Sequence, residues 1–106
     1  MQFNTTGSGN AAHGNGALGY NTIGSDNAAL GAQALLNNTS GNSNVGIGKY
    51  AGSNLITGNN NIAIGANIGF PSATASNQLN IGGWIYGTGG NIGIGVTVPT
   101  NKLEVA

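Results

Sequence analysis

Residues 44–52 read NVGIGKYAG and residues 61–69 read NIAIGANIG, and the second stretch begins 17 residues after the first. The same step leads back to NAALGAQAL at 27–35 and NAAHGNGAL at 10–18. A fixed period of this length marks a repeat architecture. Within a stretch the apolar residues stand two apart, as with Val45 and Ile47 or Ile62 and Ile64, which is strand alternation rather than helical spacing. Glycine at this density costs about 1 kcal/mol at each interior helix position, so the pattern predicts a strand in every repeat.

Two glycine columns recur at fixed phases: Gly7, Gly24, Gly41 and Gly58, and Gly14, Gly31, Gly48 and Gly65. Each column predicts a corner where φ is positive or where the backbone of the next coil leaves no room for a side chain. Stacked as parallel strands about 4.8 Å apart, successive coils place equivalent residues above one another. Asn10, Asn27, Asn44 and Asn61 then form a ladder whose amides bond from coil to coil. Leu30, Val45, Ile47, Ile62, Ile64 and Ile68 are the expected inward residues. The small column Ala12, Ala29, Gly46 and Ala63 is expected to face outward, where it lets another chain approach closely. So small a core predicts an oligomer.

The pattern changes after Gly69. Phe70-Pro71 interrupts it, and Pro71 cannot donate to a strand ladder. Residues 1–69 are read as a repeat shaft and residues 70–106 as a C-terminal β segment that closes it. In that segment Leu103 and Val105 fall on one face of a last strand. The expected fold is all-β: a parallel β-roll or β-solenoid of 17-residue coils, oligomeric, with a non-repeating C-terminal β segment.

Composition limits the function. Of 106 residues, 4% are charged, against about 25% in ordinary soluble domains. With no basic patch, nucleic acid is not an expected partner. No apolar run is long enough to span a membrane and no secretory signal pattern is present, so membrane insertion is not expected. The absence of cysteine removes disulfides and thiolate metal sites. The apolar fraction of 39% and its regular placement argue against disorder.

No catalytic constellation is legible, so no enzyme, cofactor or metal is expected. Asp26 and Glu104, the only carboxylates, are far apart in sequence. The positions equivalent to Asp26 hold Gly9, Ser43 and Asn60, so the regular aspartate of a calcium β-roll is missing. Gly-x-Gly-x-x-Gly strings arise by chance in a chain with 21 glycines, and none opens a helix. His13, the single histidine, shares a column with Leu30, Ile47 and Ile64; its plain reading is an open first coil rather than a metal ring. Trp84 and Tyr86, two apart, are candidate glycan contacts. The favoured reading makes them a plug at the end of the roll or at the axis of the oligomer, since aromatic rings are the largest core fillers.

NVGIGKYAG, NIAIGANIG, the TGNN turn and LNIGGWIYGTGGNIGIGVTVPTNKLEV at 79–105 together resemble repeats of bacteriophage tail-fibre and tailspike proteins. In that family a GNIGIGT…P…KLDV segment often precedes an intramolecular chaperone domain; Val96 stands here where the pattern has Thr. The Asn-x-Ala-Ile-Gly element is similar, more loosely, to the head repeats of trimeric autotransporter adhesins. The resemblance implies a homotrimer on a virion surface or outside a cell. It would join neighbouring fibre domains as a structural segment in host attachment, with a cell-surface glycan as the alternative partner.

Overall fold

The structure, a computed structural model, describes residues 3–106. Among these residues eight strands form one sheet in sequential order: β1 Ala11–His13, β2 Ala28–Leu30, β3 Val45–Ile47, β4 Ile62–Ile64, β5 Gln78–Ile81, β6 Ile85–Thr88, β7 Asn91–Ile94 and β8 Leu103–Val105. No described residue is helical, and the chain is an all-β solenoid. The first five strands are parallel and stacked at the 17-residue step, with Ala28 beside Ala11, Val45 beside Ala28 and Ile62 beside Val45. The molecule measures 41 × 21 × 17 Å.

Each coil has one three-residue strand; the rest is turn, held by backbone bonds to the next coil. Leu18 N–H donates to the Ala34 carbonyl at 3.0 Å, Leu35 N–H to Ala51 at 3.0 Å and Thr22 N–H to Thr39 at 2.9 Å. The two glycine columns differ in kind. Gly48 closes β3 with φ 122°, and a Cβ there would lie 2.6 Å from the Gly65 carbonyl oxygen of the next coil. Gly24 has no positive φ; a Cβ there would run into the Gly41 carbonyl oxygen and the Asn21 amide.

Three further left-handed positions per coil are mostly not glycine. Asp26, Ser43, Asn60 and Asn77 share one, with φ from 57° to 60°. Gln33, Tyr50 and Asn67 share another, and Leu18 and Leu35 a third, at 51° and 50°. Asn and Asp tolerate this region. A leucine there is unusual, and both leucines are fully buried, so the packing of their side chains offsets the backbone cost.

The two faces of the strands are the reverse of the sequence expectation. Ala29, Gly46 and Ala63 point inward and are buried, whereas Leu30, Ile47, Ile62 and Ile64 are exposed and Val45 is half-buried. The interior is filled instead from the turn side by Leu18, Leu35 and Leu55 at 0% exposure, with Ala17, Ala34, Ala51 and Phe70 around them. A Cβ on Gly46 would sit 2.8 Å from Leu35 Cγ. The coil is too narrow to hold a branched strand residue opposite a leucine. Of the residues expected inside, Ile68 alone packs on this core, half-buried.

The stacking runs one rung past residue 69. Leu79 pairs with Ile62 and Ile81 with Ile64, at the same step. Gln78 takes the ladder position and its N–H donates to Asn61 Oδ1 at 2.8 Å. The chain then reverses: β6 is antiparallel to β5 and to β7, and β8 is parallel to β7.

Candidate functional site

The strand register carries two outward columns through the whole sheet. One is Ala11, Ala28, Val45, Ile62, Leu79, Gly87, Ile92 and Leu103; the other is His13, Leu30, Ile47, Ile64, Ile81, Ile85, Ile94 and Val105. The reversal at β6 leaves this register intact. Seven inter-strand steps of about 4.8 Å give a strip about 34 Å long, nearly the 41 Å length of the molecule. Leu30 is 49% exposed and Leu103 and Val105 are each 64% exposed. No carboxylate, amine or guanidinium belongs to either column. A continuous exposed apolar strip of this length marks an interaction surface.

Near the N-terminal end the strip dips into a hollow of about 460 Å³ over Ala11 and Ala28, flanked by His13, Leu30 and Ile47. The hollow exists because the first column is alanine in β1 and β2 and becomes valine and isoleucine only in β3 and β4.

The Asn residues support the edge of the sheet. Asn27 Oδ1 accepts from Asn44 N–H at 2.9 Å, and Asn44 Oδ1 from Asn61 N–H at 2.9 Å. Each Nδ2 reaches a glycine carbonyl 14 residues on, Asn27 to Gly41 at 2.8 Å and Asn44 to Gly58 at 2.8 Å. The first rung, Asn10, accepts from Asn27 N–H at 2.9 Å and donates to the Gly24 carbonyl at 2.7 Å. The ladder therefore joins side-chain amides mainly to backbone, with amide-to-amide contacts at its two ends, Asn27 Nδ2 to Asn10 Oδ1 at 3.1 Å and Gln78 Nε2 to Asn61 Oδ1 at 3.3 Å.

A second ladder escaped the sequence reading. Asn21 Nδ2 donates to Asn4 Oδ1 at 2.9 Å and Asn38 Nδ2 to Asn21 Oδ1 at 3.0 Å. Its signal was the 17-residue step among Asn4, Asn21 and Asn38. Leu55 ends the column, and Asn38 Oδ1 is left buried without a donor.

In the single chain Trp84 does not plug the end of the roll. Trp84 lies in the turn before β6, not in a strand with Tyr86, and is 72% exposed in the single chain. Its backbone is fixed, with N–H donating to Ile81 at 3.0 Å and its carbonyl accepting from Gly95 at 2.9 Å. Tyr86 is half-buried in the column of Asn80 and Gly93. Away from the strip, Phe3 and Tyr20 stack with ring centres 5.5 Å apart. They head an open groove of about 600 Å³ continued by Asn37, Asn54, Thr39 and Ile56. The Asn37 and Asn54 amides there donate to the Ser53 and Phe70 carbonyls.

Among the described residues no three His, Cys, Asp or Glu side chains come together. Glu104 accepts from Thr100 N–H at 2.8 Å through Oε2. No helix among the described residues is long and apolar enough to cross a membrane. Comparison with protein-family models, with curated proteins and with solved structures finds no match for the chain.

Proposed function

We propose that this chain is a structural segment of a fibre or stalk. Three copies associate side by side through the apolar strip to give a rigid rod. The observation that carries the reading is the strip itself: two uncharged columns that keep register across all eight strands, along the long axis of the molecule. A face that runs parallel to the long axis suits copies related by rotation about that axis, and closed cyclic symmetry is the common arrangement for identical chains. Three strips meeting at the axis would bury the residues that a single chain leaves in water. The resemblance to tail-fibre repeats supports the number three and a place on a virion surface or outside a cell, with neighbouring fibre domains in line. The work of the segment is extension, and the reading assigns it no catalysis.

Small-angle X-ray scattering tests this arrangement. The expected particle has three times the single-chain mass and a long dimension still near 41 Å. A particle that lengthens with each added copy would show end-to-end assembly and contradict it.

A second reading, a module that holds a cell-surface glycan, is favoured by the exposure of Trp84, whose ring offers a stacking face for a sugar. Its mark would be a glycan that binds the parent chain and is lost with Trp84→Ala while the melting temperature stays unchanged.

A further inference from the structure

His13 is the one ionisable side chain in the two outward columns. It stands beside Leu30 in the register of β1 and β2, exposed in the single chain, at the rim of the hollow over Ala11 and Ala28. We propose that His13 makes the self-association of this chain acid-sensitive, with protonation opening the assembly at its N-terminal end; this rests on the side-by-side reading above. Copies related by rotation about the long axis present equivalent residues at one level, so three imidazoles converge. A neutral imidazole can be covered by an apolar neighbour. An imidazolium in the same place loses its water without gaining a counter-charge and is repelled by two others.

The surroundings offer no such counter-charge. Among the described residues β2 is the only strand packed against β1, and its Ala28, Ala29 and Leu30 carry none. Asp26 lies in the turn two residues before β2, outside both columns. The rest of the strip is aliphatic apart from Gly87, so a copy packed on it brings only another His13. Imidazole is the side chain whose charge ordinarily changes between pH 5 and 8. Assembly is therefore favoured while the ring is neutral and lost as it takes up a proton.

Sedimentation equilibrium of the whole chain at pH 7.5 and pH 5.0, in the presence of a chelator, tests the proposal alongside His13→Leu and His13→Gln. The parent association constant should fall at least tenfold between the two conditions. His13→Leu and His13→Gln should change by less than about twofold, since they differ from the parent only at residue 13. A parent that associates equally at both conditions, or variants that share its fall, would overturn the acid switch and leave side-by-side assembly standing. A folded monomer at pH 7.5 would overturn both.

Discussion

Asn44 is tied at both ends of its amide, its oxygen to the Asn61 N–H and its nitrogen to the Gly58 carbonyl, and it is fully buried. Replacing it with alanine leaves the Asn61 N–H and the Gly58 carbonyl without these buried partners. The expected loss of stability in a denaturant melt is about 1–3 kcal/mol. Asn42→Ala is the control. Its side chain is exposed, so the Ser25 N–H that its Oδ1 accepts from at 2.8 Å can turn to water instead, and the change should be smaller. Equal melts for the two variants would show that the ladder does not hold the coils together. At this scale the sequence was partly readable. The repeated Asn at 10, 27, 44 and 61 announced a ladder, but the shorter run at 4, 21 and 38 ends at Leu55 and does not announce itself. Left-handed positions were recognisable where they were glycine, as at Gly48. They were hidden at Gln33, Tyr50, Leu18 and Leu35, whose side chains give no local reason for a positive φ.

At the scale of the strand, alternation distinguished two faces and did not say which was inside. Val45 and Ile47 are larger than Gly46, and burial of the larger residues is the ordinary expectation. The outcome is reversed because Leu35, reaching in from the turn side, already occupies the space opposite Gly46. Which residue fills a narrow coil depends on what the turn side contributes, and a strand pattern alone does not contain that. Gly46→Val should therefore overpack the core and destabilise the fold by about 1–3 kcal/mol. Ile47→Thr, one position on and outward, should weaken association and leave the core of each chain intact. Thermal melts and sedimentation of the two variants separate these effects. A Gly46→Val chain that melts like the parent would mean that the interior is not the one described. The change at residue 70 was also only half legible. Pro71 signalled an interruption, yet β5 still stacks on β4 because Gln78 bonds Asn61 in place of another asparagine.

For the whole molecule, the reversal of the two faces changes the argument for assembly without removing it. The expectation rested on small outward residues and a thin core. The structure has a thin core of leucine and alanine and an outward strip of isoleucine, leucine and valine, which gives a stronger motive for association because large apolar side chains gain most from leaving water. The strip crosses from the parallel coils into β6, β7 and β8 without losing register, so the C-terminal strands extend the same surface. The direct test is the mass of the parent chain by sedimentation equilibrium at neutral pH and micromolar concentration. A single species of three chain masses is the predicted result. A folded species of one chain mass, with Leu30, Ile47 and Ile64 left in water, would contradict the claim that this strip is where copies of the chain meet.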